Sequence, residues 1–101
     1  MSEKVSQGDL LKIRRIKYPV LVVSKDFFNA SGEVVGCPIY FVSTESPLHV
    51  FISADEIEGY VQCEKLALLD LKARGYQKVG RLALKDTINI IDAVQGIFDY
   101  I

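Results

Sequence analysis

Four cations, Lys12, Arg14, Arg15 and Lys17, fall within six residues, and Tyr18 follows the last of them directly. Lysine and arginine neutralise phosphates, and an aromatic ring beside them stacks on an unpaired base for about 1–3 kcal/mol per base. Tyr18 and Tyr40 are therefore candidates to bind single-stranded RNA, or DNA, next to that cluster. The same residues have plainer uses: a charge run is commonly a solvated hairpin end, and tyrosines fill space. His49, the only histidine, titrates near pH 6.5 and can act as an acid or a base. Its alternation with Leu48 and Val50 also suits a surface or half-buried imidazole with no chemistry. Glu64 can serve as a base or position a lysine, or be a plain surface carboxylate. Strand alternation places Lys65 on the opposite face from it.

Cys37 and Cys63 stand apart, without the close pairing of a zinc or redox site, so they are read as free thiols. No metal or other cofactor is expected. The chain of 101 residues reads as one domain spanning 1–101, large enough to bury its own core. Half the residues are hydrophobic and a quarter charged, an ordinary globular composition. A formal charge of −1 excludes a broadly polycationic surface, so nucleic-acid binding must rest on the local cluster. Neither a signal-peptide core nor an apolar run of about 20 residues is present, which leads us to expect a cytoplasmic protein with no membrane partner.

These side chains need a frame, and its period is mostly two. Gly8-Asp9 turns into a strand through Leu10, Leu11 and Ile13, and the basic cluster with Pro19 reverses it into Val20 to Val23. Residues 25–29 suit one helical turn, with Ser24 as N-cap and Ser31-Gly32 closing it. Val34 to Val42, Leu48 to Ile52 and Tyr60 to Leu66 read as further strands, the last after a turn at Glu58-Gly59. Short strands at this spacing predict a small β-barrel. From Leu84 onward the apolar residues Leu84, Ile88, Ile91, Val94, Phe98 and Ile101 step by three or four, predicting a closing helix whose stripe packs on the core. Asp86 suits its first turn, and Gly96 marks either a fraying end or a close contact. An exposed sheet edge and a helix apolar to its end favour a symmetric dimer.

Several stretches resemble one toxin family. Gly8-Asp9-Leu10, the run Pro19 to Ser24 with Asp26, Phe28 and Asn29, Cys37-Pro38-Ile39, Leu69 to Gly75, and Val79-Gly80-Arg81 are similar to the MazF/PemK (Kid) toxins. They occur in the family's order over nearly the whole chain. The resemblance implies a mainly β fold, a small SH3-like barrel of the CcdB/PemK type with a short internal helix and a C-terminal α-helix. It also implies a homodimer acting as the toxin of a type II toxin-antitoxin pair. Such toxins cleave single-stranded RNA without a metal, and a cognate antitoxin blocks the RNA groove.

The sequence departs from that family where its chemistry lies. Tyr18 and Tyr40 stand where the family carries an arginine and a threonine, and the first loop is shortened to Arg14-Arg15-Ile16-Lys17. One branch uses Arg-Cys-Asp on a later strand, where this chain has Gln62-Cys63-Glu64. A phenol is neutral below pH 10 or so and offers one donor in place of the guanidinium fork. If cleavage persists, Arg15 or Lys17 must supply the cation, Ser43 or Thr44 the hydroxyl, and Glu64 the base. Lys12, Arg14, Arg15, Lys17, Tyr18, Tyr40, His49 and Arg74 are the candidate nucleic-acid contacts, although Arg74 also suits a structural or dimer role. The other reading is a relative that binds nucleic acid or an antitoxin peptide without cutting. A gyrase-poisoning relative of the fold is disfavoured, because its contact relies on a tryptophan and this chain has none.

Overall fold

The computed structural model describes residues 4–99. Seven strands and three helices follow one another as β1 (Asp9–Ile13), β2 (Val20–Val22), α1 (Asp26–Asn29), β3 (Glu33–Tyr40), β4 (His49–Ala54), β5 (Ile57–Gln62), β6 (Ala67–Asp70), α2 (Leu71–Arg74), β7 (Tyr76–Arg81) and α3 (Leu84–Phe98). The strands form one curled antiparallel sheet in the order β4-β5-β3-β2-β1-β7, with β6 also paired to β3. The sequence predicts a mainly β small barrel with a C-terminal helix, and the structure has that architecture with the sheet curled into a half-barrel.

Strand β3 organises the sheet. One edge pairs with β2 through Val20↔Pro38 and Val22↔Gly36. The other edge takes β6 along Glu33 to Gly36 and β5 at Ile39 and Tyr40. Here the structure corrects the strand read over Tyr60 to Leu66, which is two strands on one edge with a turn between them. The Lys65 N–H folds back onto the Gln62 carbonyl at 3.0 Å, and the Cys63 N–H bonds the Leu48 carbonyl at 2.8 Å. The preceding turn is at Asp55-Glu56 rather than Glu58-Gly59, which lie within β5, and Asp55 takes the left-handed φ of 55° that the tight hairpin requires. Strand β3 also stops at Tyr40 rather than Val42.

Alternation along β1 buries both faces of the sheet. Leu10 joins a core with Leu21, Cys37, Ile39, Val61, Leu82 and Ile90, while Leu11 and Ile13 join another with Val20, Val22, Val34 and Leu71. Cys37 and Cys63 are free, and both are fully buried. Burial pushes their thiols up to about 12 and about 11 respectively, so both stay neutral and neither is a nucleophile at physiological pH.

Two local expectations give way to tertiary contacts. Ser24 does not cap α1, since Lys25 holds that position without a side-chain cap. Its hydroxyl instead bonds Asn29 Oδ1 and accepts from the Val35 N–H at 2.9 Å, tying the helix to β3. The apolar stripe of α3 is not all core. Thr87 and Ile90 are buried and Ile91 and Val94 are partly so, whereas Leu84, Ile88 and Phe98 are 75%, 51% and 69% exposed. The apolar residues cover more of the helix circumference than one barrel face can bury. Among the described residues, nothing lies within 4 Å of where a Cβ on Gly96 would be, so no close packing contact accounts for that glycine. Ile101 lies outside the described residues.

Candidate active site

Register brings four aromatic rings onto one outward face. Tyr40 on β3 pairs with Tyr60 on β5, and Tyr60 pairs with Phe51 on β4. Cross-strand partners point to the same side of a sheet. Tyr18, just before β2, completes the row, its ring centroid 4.5 Å from that of Tyr40 at an interplanar angle of 44°. Phe51 meets Tyr60 edge-on at 5.3 Å. Tyr18 and Tyr40 therefore belong to the surface, both half-buried.

Cations flank this row. Lys17 Nζ lies 5.3 Å from the Tyr18 ring centroid, and Lys65 Nζ lies 4.8 Å from that of Tyr40, both within cation–π range. Lys65 also donates to the Tyr40 hydroxyl at 3.4 Å. Strand alternation predicts Lys65 on the face opposite Glu64. The turn that ends β5 breaks the alternation and swings the ammonium over Tyr40. The sequence does not single out Lys65, Tyr60 or Phe51 as site residues. The parity of Phe51 and Tyr60 across the Asp55-Glu56 turn carries the signal, and a turn at Glu58-Gly59 hides it.

Next to the row, on the same face of β4, His49 is clamped from both sides. Its Nδ1–H donates to the Thr44 carbonyl at 2.7 Å, and Nε2–H meets Glu64 Oε2 at 2.7 Å. Both partners are acceptors, so the arrangement is fully satisfied when each ring nitrogen carries a proton, in the imidazolium form. The Glu64 hydrogen bond, then that to Thr44, raises the His49 pKa, and the same bond to His49 lowers that of Glu64. The Thr44 hydroxyl stands 3.5 Å from Nδ1, so Thr44 acts here through its carbonyl. Behind them, Gln62 is 2% exposed and donates to Ser43 Oγ at 3.0 Å, pinning the 41–48 loop to β5.

This clamp has a pH signature. A His49 pKa raised in the folded state stabilises the fold fully below pH 6.5, the ordinary value, and the contribution is lost as pH climbs through the raised value. Glu64, lowered below 4.5, contributes above that pH and loses its part as pH falls through the depressed value. NMR titration of His49 should thus give a midpoint above 6.5, and Glu64→Gln should bring it back down. A wild-type midpoint at or below the ordinary value would contradict the imidazolium.

The basic cluster of the sequence is divided. Arg14 and Arg15, with Ala73 and Arg74, line a depression of about 400 Å³ that none of the tyrosines borders. Lys12 borders a neighbouring one with Ile13, Arg14 and Tyr76. The candidates therefore separate into a face holding Lys17, Tyr18, Tyr40, Thr44, His49, Glu64 and Lys65, and an arginine-lined end. Among the described residues, no three His, Cys, Asp or Glu are placed to hold a metal ion, and no helix is long and apolar enough to cross a membrane.

The sequence profile of the PemK-like, MazF-like toxin of type II toxin-antitoxin systems matches residues 11–98. Solved structures superpose closely. MazF (form I) from Deinococcus radiodurans has a TM-score of 0.86 at 17% identity over 96% of this chain and 98% of that one. The MazE-MazF structure (form II) from the same organism reaches 0.88 at 17% identity over 99% and 100%. An endoribonuclease in complex with its cognate antitoxin from Mycobacterial species reaches 0.79 at 21% identity over 93% and 94%. Comparison with curated protein sequences gave no match.

Proposed function

Because the chain belongs to the PemK-like, MazF-like toxin family of type II toxin-antitoxin systems, we propose that it is a toxin that cleaves single-stranded RNA with a relocated set of catalytic groups. One observation carries this reading: the Lys65 ammonium rests on the Tyr40 hydroxyl, returning a cation to the place where tyrosines replace the family's arginine and threonine. Glu64, directly before Lys65 and held ionised by His49, is the base that takes the 2′-hydroxyl proton. The 2′-oxygen attacks phosphorus and the bond to the 5′-oxygen breaks. Tyr40 gives its hydroxyl proton to that leaving oxygen, while Lys65 stabilises first the charged phosphorane and then the phenolate. The products are a 2′,3′-cyclic phosphate and a 5′-hydroxyl. Tyr60 and Phe51 supply ring faces and edges on which neighbouring bases stack. His49, with both nitrogens occupied, is a positioning residue, and Arg15 has no part in this chemistry.

The test is incubation of the purified protein with a long single-stranded RNA in EDTA. Discrete fragments ending in cyclic phosphate are expected, and intact RNA at high protein concentration would sink the reading. That outcome would favour the second reading, a toxin relative that binds nucleic acid or an antitoxin peptide without cutting. It has its own support in the mutual contact of Tyr18 and Tyr40, two neutral rings at the positions where the family carries an arginine and a threonine.

The partners that fit this reading are a cognate antitoxin and a second copy of the chain. Leu84, Ile88 and Phe98 give α3 an outward apolar stripe, and pairing it in a symmetric dimer removes that surface from water. Sedimentation equilibrium should then report twice the 11.3 kDa chain mass. A single-chain mass at micromolar concentration would refute the dimer.

A further inference from the structure

The three guanidinium groups at the arginine-lined end have no acidic partner among the described residues. The cation–carboxylate pairs seen among the described residues, Lys4–Asp26, His49–Glu64, Lys78–Asp9 and Arg81–Asp9, lie elsewhere. In a chain of net charge −1, an uncompensated group of three like charges is built against the general balance. The two segments that carry it are also fastened together. The Arg14 N–H donates to the Gly75 carbonyl at 3.0 Å, and the Ile16 N–H closes the turn onto Ile13 at 3.0 Å. That turn holds Arg15 at a φ of 67°, a left-handed conformation that a long side chain rarely adopts. The backbone thus carries strain where it directs Arg15 toward the same depression as Arg14 and Arg74.

We infer that this depression is a binding site for a compact, multiply charged phosphate group, a diphosphate or a terminal phosphomonoester, separate from the tyrosine face. Guanidinium forks bond phosphate oxygens in pairs, and each offers five N–H donors in fixed geometry. A diphosphate brings two to three negative charges to one point and matches three arginines. A phosphodiester brings only one and would leave two cations facing each other. The depression, of about 400 Å³, is roomy enough for the diphosphate. Its lining is arginine and alanine, with no carboxylate to repel the ligand. This site does not depend on RNA cleavage, and cleavage is not its readout.

The probe is inorganic pyrophosphate, titrated calorimetrically into the full chain at low salt. One saturable site per chain is expected, weakened by at least about tenfold in Arg74→Ala and in Arg14→Ala, and less in Arg74→Lys, which keeps charge without the fork. Thermal melting of each variant in the absence of pyrophosphate reports whether the fold is intact, and Arg74, on the surface, should leave it so. The absence of saturable heat at millimolar pyrophosphate would overturn the site. So would unchanged affinity in both alanine variants. A 5′-hydroxyl oligoribonucleotide that displaces pyrophosphate phosphate for phosphate would also overturn it, by making the depression part of an RNA backbone track.

Discussion

Lys65→Ala should lower RNA cleavage by roughly a hundred- to a thousand-fold, the usual loss when one preorganised charge on a transition state is removed. Lys65→Arg should retain much of the activity. A phenol beside the scissile phosphate can donate one hydrogen bond, but it cannot balance the second negative charge that develops on the phosphorane. Lys65 can, because its ammonium sits 3.4 Å from the Tyr40 oxygen and 4.8 Å from the ring centroid. As the hydrogen-bond donor in that pair it also polarises the Tyr40 O–H toward a substrate oxygen. Tyr40→Phe should therefore lose activity too, and the double variant should lose little more than either single one, since the two act as a unit. Rates measured under saturating RNA separate this from weakened binding. Lys65→Ala that cleaves at the wild-type rate would remove the cation from the mechanism.

The contrast between what the sequence announced and what it concealed follows one physical line. The residues that identify the family prove to be structural. Gly8 adopts a φ of 97° so that Asp9 can enter the core. Asp70 accepts from the Ala73 N–H at 3.2 Å, and Gly75 ends α2 at a φ of 78°. Asp26 accepts from the Gln7 N–H at 3.1 Å, and Asn29 donates to the Val5 and Ser24 carbonyls. Such contacts need particular side chains at particular backbone positions, so they leave a readable pattern in one dimension. The candidate site depends instead on where a strand stops. Cys63 and Glu64 form a turn between two strands that share the same edge of β3, and only that interruption brings Lys65 over Tyr40. Local alternation carries no trace of it, and a run such as Tyr60 to Leu66 gives the same period-two pattern with or without the break. The helix stripe misled for a related reason. Periodicity shows that one side is apolar, but only the barrel's width decides how much of that side Ile90 and its neighbours can bury.

Asp9→Ala should destabilise the fold by about 3 kcal/mol, more than any substitution on the tyrosine face, because it removes a buried charge that three groups are arranged to hold. Asp9 is 0% exposed. Its Oδ1 accepts from Arg81 at 2.7 Å, and its Oδ2 meets Lys78 at 3.1 Å and the Ser6 N–H at 2.8 Å. Summing charged hydrogen bonds at about 1.5–3 kcal/mol each overstates the loss. The Arg81 side chain is 59% exposed and that of Lys78 26%, so both cations regain water when the carboxylate is gone. The Ser6 N–H, by contrast, loses the acceptor that satisfies it. Asp9 also lies opposite Arg81 where β1 pairs with β7, and the Arg81 N–H bonds Asp55 at the far hairpin at 3.1 Å. The loss therefore loosens the contact between the two edges of the half-barrel rather than one isolated pair. At this chain length each kcal/mol moves Tm by roughly 4–8 °C. Urea unfolding should show the midpoint falling with little change in slope. A cycle of Asp9→Ala, Arg81→Ala and the double variant should return a coupling of about 1–3 kcal/mol. Because the carboxylate is out of solvent, most of that coupling should survive in 1 M salt, where an exposed pair would be screened away. A coupling that vanished there would place Asp9 at the surface, and with it remove the reason for the paired Gly8-Asp9 and Gly80-Arg81 motifs.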